Sequence, residues 1–278
     1  MGVFIVLTKI ALNNSLKKKL GVHMIKKIIR VLLVAFFFTF IPLSFVGAEE
    51  YPWVKVDTGN VWDIYYDSSS GSVYAVTEDR GVLRSDDTGV TWVAKNNGID
   101  IFPEDAWRLK KISGDGNGHI FLATQGSYFY RSSDGGNTWQ KATATGLTVT
   151  GNPVSMTFDS YTNKLFVTWN GDGVFRSADL GETWERINSD TDYVYSIYAG
   201  KADASGTTGM LLTGTYYNGI MKSTDGGDNW VRKSWTYWIT DIISGPNDWL
   251  FAISTGAPNH IERSKDFGES WETVLSYT

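Results

Sequence analysis

Arg131-Ser-Ser-Asp-Gly-Gly-Asn-Thr-Trp139 decides the fold, because four other stretches repeat its plan. They are RSDDTGVTW (84–92), RSADLGETW (176–184), KSTDGGDNW (222–230) and RSKDFGESW (263–271). The shared pattern is Ser-x-Asp-x-Gly-x-(Thr, Asn or Ser)-Trp, and successive tryptophans stand 47, 45, 46 and 41 residues apart. At average residue usage, four such residues at fixed offsets coincide only about once in 10^5 to 10^6 positions. Each copy follows a short run such as GVL, YFY, GVF or GIM and precedes a polar strand such as TWQKAT or TWERIN. The pattern therefore occupies the turn of a β-hairpin. The aspartate accepts hydrogen bonds from backbone N–H groups and holds the turn closed. The glycine supplies a conformation that other residues resist, and the tryptophan lays an apolar plate beneath.

The segments between these turns repeat too. A strand-like run (VWDIYYDS, AWRLKKIS, PVSMTFDS, VYSIYAGK, TDIISGP) is followed by a polar turn and a second run (SVYAVTE, HIFLATQ, KLFVTWN, MLLTGTY, WLFAIST). A third run then leads into the Asp-containing turn. Four strands in every ~45 residues is the signature of a propeller blade. The expected fold is all-β: a propeller of four-stranded antiparallel blades over residues 49–278, with five blades visible. The segment YPWVKVD (51–57) reads as an outer strand without its own blade, while WETVLSY already completes the fifth. This predicts a fragment of a ring of six or more blades.

The chain resembles the Asp-box (BNR) repeat family of β-propellers, which includes bacterial sialidases, sortilin-type ectodomains, xyloglucan-cleaving glycosidases and the photosystem II stability/assembly factor. The resemblance spans about residues 51–278 and implies that the box residues are structural, on the face away from the ligand side. Those residues are Ser85, Asp87, Gly89 and Trp92; Ser132, Asp134, Gly136 and Trp139; Ser177, Asp179, Gly181 and Trp184; Ser223, Asp225, Gly227 and Trp230; and Ser264, Asp266, Gly268 and Trp271. Asn229 and Ser270 replace the usual threonine, and both keep a hydrogen-bonding side chain. The arginine patch associated with the assembly factor is not evident in this chain.

Seven basic residues and no acidic one precede Glu49. Met24 to Arg30 reads as a charged n-region, Val31 to Val46 as a 16-residue apolar h-region, and Val46-Gly47-Ala48 as a cleavage site. Residues 24–48 are thus expected to be a signal peptide cleaved after Ala48, giving a secreted or extracytoplasmic protein without a stable membrane span. Residues 1–23 read as an upstream extension, with translation starting at Met24. The remaining 230 residues carry 18 basic and 30 acidic side chains, a net charge of −12. Such a domain is a poor partner for nucleic acid or anionic lipid. The chain has no cysteine, which excludes disulfides and thiolate metal sites. No metal or cofactor is expected: His119 and His260 lack ligand spacing, and the glycine-rich GDGNG (114–118) reads as a hairpin turn without a helix behind it.

Alternation along the innermost strands places Trp62/Ile64, Trp107/Leu109, Val154/Met156, Tyr195/Ile197 and Thr240/Ile242 between blades. It places Asp63, Arg108, Ser155, Ser196 and Asp241 on the channel wall, where Asp63, Arg108 and Asp241 are candidate ligand contacts. Trp62, Trp107, Trp169 and Trp249 are expected in the aromatic core. Trp235, Tyr237 and Trp238 fall in the loop before the fifth inner strand, opposite the boxes, beside an acidic loop carrying Asp100, Glu104 and Asp105. Aromatic plates beside carboxylates suit a glycan or a peptide. Sialidase chemistry would need converging arginines and an Arg-Ile-Pro segment, and the chain has no such segment. The expectation is an exported, non-enzymatic binding or assembly scaffold for a protein or glycan. The alternative is a glycoside hydrolase, sialidase- or xyloglucanase-like, or a fragment of one, with Asp63 and Asp241 as its carboxylates.

Overall fold

The computed structural model describes residues 60–100, 108–149, 151–187, 193–256 and 258–277. The leader, the segment 51–57, Trp53, Trp107, Glu104 and Asp105 lie outside them. Five antiparallel sheets of four strands follow one another. Blade 1 is β1 (Val61–Tyr66), β2 (Val73–Thr77), β3 (Val82–Ser85) and β4 (Val93–Ala94). Blade 2 is β5 (Leu109–Gly114), β6 (Ile120–Thr124), β7 (Phe129–Ser132) and β8 (Gln140–Lys141). Blade 3 is β9 (Pro153–Asp159), β10 (Lys164–Trp169), β11 (Gly173–Ser177) and β12 (Glu185–Arg186). Blade 4 is β13 (Val194–Lys201), β14 (Gly209–Thr215), β15 (Ile220–Ser223) and β16 (Val231–Ser234). Blade 5 is β17 (Ile239–Ser244), β18 (Leu250–Ser254), β19 (Asn259–Ser264) and β20 (Glu272–Tyr277). This is the propeller that the repeat predicts.

The second strand of blades 1 to 4 is buried on both faces, which is why these runs are continuously apolar, while in blade 5 Phe251 and Ile253 are only half-buried. Ile120 and Leu122 of β6 pack against Tyr74 and Val76 of blade 1, while Phe121 and Ala123 pack against Leu165 and Val167 of blade 3. Phe166 turns the other way, to Ile197 and Leu211 of blade 4, and Leu212 meets Ile242 and Leu250 of blade 5. Each interface is a strip of interdigitated side chains. Burial of one such Leu, Ile or Phe contributes about 1.5–3 kcal/mol.

The boxes lie between the third and fourth strands and have one geometry. In the second, Ser132 Oγ donates to Asp134 Oδ1 (2.7 Å) and accepts from Gly136 N (2.8 Å). Thr138 then donates to Asp134 from its backbone N (2.8 Å) and from Oγ1 (2.7 Å). In the fourth box Asn229 takes the place of threonine, donating from N at 2.9 Å and from Nδ2 at 2.8 Å to Asp225. Hydrogen bonds from Thr91 hold the Asp87 carboxyl down at about 2. At Asp134 burial pushes upward, but the bonds from Thr138 and Ser132 prevail and the value is again about 2. The glycine is needed twice over: Gly181 has φ +95°, and a Cβ there would lie 2.3 Å from the Phe129 ring of the preceding blade.

Simple alternation along the inner strands fails at one place, and it is the same place in every blade. Trp62, Lys110, Val154, Tyr195 and Thr240 each occupy a register shift against the second strand. A bulge adds a residue and re-aims its side chain. Core positions on these strands are therefore three apart, as in Leu109/Ile112, Pro153/Met156, Val194/Ile197 and Ile239/Ile242, all buried. Trp62 is consequently not a core residue: it is 43% exposed, with Lys110 Nζ 3.4 Å from its ring centroid. Trp169 is fully buried as expected, and Trp249 is half-buried under the Arg263 guanidinium, 4.8 Å away. The bulge also corrects blade 2, where Lys111, not Arg108, is equivalent to Asp63.

GDGNG forms the expected hairpin turn, closed by Asp115 Oδ1 accepting from Asn117 N (2.7 Å) and His119 N (3.1 Å). No helix among the described residues is long and apolar enough to cross a membrane.

Candidate aromatic binding groove

On the face opposite the boxes, each blade ties the residue before its inner strand to the residue after its second strand. Glu78 N donates to Asn60 O (2.8 Å), Gln125 N to Arg108 O (2.7 Å) and Asn170 N to Asn152 O (3.2 Å). Tyr216 N donates to Tyr193 O (3.0 Å) and Thr255 N to Trp238 O (3.1 Å). The same backbone positions recur along one face of successive blades, polar in blades 1 to 3, two tyrosines in blade 4 and Trp238 with Thr255 in blade 5. Arg108 is a member of this rim, one residue ahead of β5, rather than an inner-strand residue.

The change in chemistry produces a groove between blades 4 and 5. Its volume is about 470 Å³, within the ordinary span of ligand sites, and Tyr216, Tyr217, Tyr237 and Trp238 form its walls. Tyr216 is the hub, with ring centroids 4.9 Å from Trp238, 4.3 Å from Tyr217 and 6.4 Å from both Tyr193 and Tyr195. Burial raises the Tyr195 hydroxyl pKa, with Tyr216 adding to the effect. Trp238 sits at φ +61°, uncommon for a bulky side chain. It is held there by its own N–H donating to Tyr216 O (3.0 Å) and its carbonyl accepting from Thr255 N. Tyr237 is 61% exposed and Trp235, just outside the groove, is 73% exposed with the Arg232 guanidinium 3.9 Å from its ring.

Buried Glu262 on β19 anchors the connector from below. Its carboxylate accepts from Ser234 Oγ (3.0 Å) and from Thr236 Oγ1. His260 lines the groove with Nδ1 2.8 Å from Pro258 O and Nε2 3.6 Å from Glu262 Oε1.

The structure thus gathers Tyr237 and Trp238 at one site with Trp235 beside them. Asp63, Arg108 and Asp241 are not among the groove's lining residues. Asp63 Oδ2 accepts from Ile112 N of the next blade (3.0 Å), with Lys111 Nζ 4.0 Å from its other oxygen. Ser155 does the same for Ile197 N (3.2 Å), which makes this an interblade tie. Asp241 Oδ1 accepts from Ile242 N (2.9 Å). Asp100 is engaged by Tyr130 and by Lys141 Nζ at 3.2 Å. The sequence does not point to Tyr193, Tyr216, Tyr217 or Glu262, and it places Tyr195 between blades, whereas the bulge turns it to within 6.4 Å of the Tyr216 ring. The Tyr216-Tyr217-Asn218-Gly219 turn was the available signal, since two adjacent tyrosines in a tight turn cannot both reach the core, and Tyr217 is indeed exposed.

Five Asp-box blades with an aromatic groove on the opposite face define a β-propeller of the BNR-repeat class. Residues 46–203 match the family described as photosynthesis system II assembly factor YCF48, and the chain belongs to that family. A solved structure described as YCF48 bound to D1 peptide superposes with a TM-score of 0.54 at 19% identity, over 81% of this chain and 71% of that one. The Niastella koreensis GH74 enzyme superposes with a TM-score of 0.61 at 17% identity, over 78% of this chain but 37% of that one. Vacuolar protein sorting/targeting protein 10 of Colletotrichum graminicola is 26% identical over 99 residues, 34% of this chain and 6% of that protein. The chain thus spans only a small part of this curated relative and well under half of the GH74 enzyme.

Proposed function

We propose that this protein is a non-enzymatic binding and assembly scaffold that recognises a polypeptide through the groove between blades 4 and 5. The observation that carries the reading is the wall of Tyr216, Tyr217, Tyr237 and Trp238, among whose described neighbours in the groove there is no carboxylate. Rigid aromatic side chains with a polar tip give large contact area at low entropic cost. Membership of the YCF48 family, one of whose proteins has been solved with a peptide, supports a protein partner. The charged leader and apolar run of residues 24–48 support action outside the cytoplasm, and N-terminal sequencing of the mature form should begin at Glu49. A photo-cross-linking residue placed at Tyr217 or Tyr237 should join a polypeptide, whereas one at Val90 on the box face should not. Position-independent cross-linking would refute the reading. So would hydrolysis of a β-glucan that is abolished in Asp63→Ala or Asp241→Ala.

A further inference from the structure

The hydrogen-bonding inventory of the groove narrows the occupant, on the basis of the polypeptide reading above. Its non-aromatic polar side chains are already spent within the fold. Ser254 Oγ donates to Tyr237 O (2.9 Å), Thr236 Oγ1 donates to Glu262, and His260 Nδ1 lies 2.8 Å from Pro258 O. What remains are the hydroxyls of Tyr216, Tyr217 and Tyr237, which bond to no other described residue, with the Trp238 indole N–H and His260 Nε2 beside them. The described lining contains no Asp, Glu, Asn, Gln, Lys or Arg.

A pyranose fits this inventory poorly, because its hydroxyls each need a donor and an acceptor placed around the ring. A charged segment fits no better, since nothing in the lining would balance its charge once desolvated. An ordinary extended peptide would bring one backbone N–H per residue, more donors than three phenol oxygens can serve as acceptors. Proline removes that N–H and leaves a carbonyl, which a tyrosine O–H can serve as donor. Its ring packs flat against indole and phenol faces, and a polyproline II segment arrives already ordered. The backbone bonds that fix Trp238 at φ +61° preorganise the receiving side as well.

We infer that the groove between blades 4 and 5 is a docking site for a proline-rich segment of a partner protein in the polyproline II conformation. The net charge of −12 on residues 49–278 favours partners whose proline run is flanked by lysine or arginine. The test is calorimetric titration of the propeller with a blocked oligoproline peptide, a blocked Gly-Ser peptide of equal length, a blocked mixed-sequence peptide and a xyloglucan oligosaccharide. The oligoproline peptide should bind, and Tyr217→Ala and Tyr237→Ala should each weaken it about tenfold. Both side chains are mostly exposed, so these variants should keep the wild-type melting temperature. Trp62→Ala, at the channel of blade 1, should leave binding unchanged. Equal binding of the mixed-sequence or Gly-Ser peptide, lost in the same variants, would overturn the proline assignment and leave the polypeptide reading standing. Saccharide binding lost in those variants would overturn both. Absence of oligoproline binding would overturn the assignment.

Discussion

Arg176 of blade 3 donates from Nη1 to the carbonyl oxygen of Gly226, 2.6 Å away inside the box of blade 4. The same nitrogen reaches Asp228 Oδ1 at 2.8 Å. The relationship repeats along the chain. Arg84 reaches Gly135 O (2.8 Å), Arg131 pairs with Glu182 (2.6 Å), and Lys222 reaches Phe267 O (2.8 Å) and Glu269 (2.7 Å). The basic residue that opens one box therefore fastens the next. Arg84, Arg131, Arg176 and Lys222 are thus fastenings between neighbouring blades.

Arg176→Ala should lower unfolding free energy by about 2 kcal/mol, because a buried charge-assisted bond is lost and Gly226 O is left without its donor. Arg263, which pairs with Glu272 of its own blade at the surface, should cost under about 1 kcal/mol when replaced by alanine. Urea denaturation of the two variants checks this; equal losses would contradict the interblade fastening.

Acid should loosen the boxes in a defined window. Asp87, Asp134 and Asp225 have carboxyls depressed to about 2 in the folded chain, against about 3.9 when unfolded. A depressed carboxyl stabilises the fold above the unfolded value and loses that contribution as pH falls through the folded one. The urea midpoint should therefore decline between about pH 4 and pH 2, and Asp134→Asn should start lower and decline less steeply across that window. An unchanged slope in the variant would count against the boxes as the acid-labile element.

Gly214 lies where β14 of blade 4 closely approaches β17 of blade 5. A Cβ there would stand 2.5 Å from Ile239 Cγ2, 2.5 Å from Ser196 Oγ and 2.7 Å from Ile239 O. Gly214→Ala should destabilise the protein by about 1–3 kcal/mol through forced separation of the sheets. Because Trp238 immediately precedes Ile239, ligand binding in the groove should weaken as well. Thermal unfolding and peptide titration of this variant read the two effects.

Glu262→Ala removes the acceptor beneath the connector and strands the hydroxyls of Ser234 and Thr236. The melting temperature should fall, and amide exchange should quicken across residues 235–238 ahead of the rest of blade 5. Uniform acceleration across the blade would show that Glu262 supports the sheet and not the connector.

The blades and their boxes were legible in the sequence because Ser, Asp, Gly and Trp at fixed offsets specify a turn with little help from elsewhere. The side of the wheel that carries Trp235, Tyr237 and Trp238 was legible for the same reason, since a known hairpin fixes which end of each strand faces which way. The bulge was not. One additional residue at Trp62 or Lys110 leaves no compositional mark, and it moved Trp62 out of the core and shifted Arg108 to the rim. The clustering of Tyr193, Tyr216 and Trp238 was equally hidden, because it depends on backbone bonds between segments 22 or more residues apart.

The recurring bulge has a consequence for how such a protein can change. It supplies one side chain per sheet that lies outside the three-apart core positions of the inner strand. Trp62, Lys110, Val154, Tyr195 and Thr240 share that location but range from aromatic to aliphatic, polar and charged. One such position per blade is where the inner strand carries its most varied side chains. New specificities could be written there one substitution at a time, with the wheel itself left as it is.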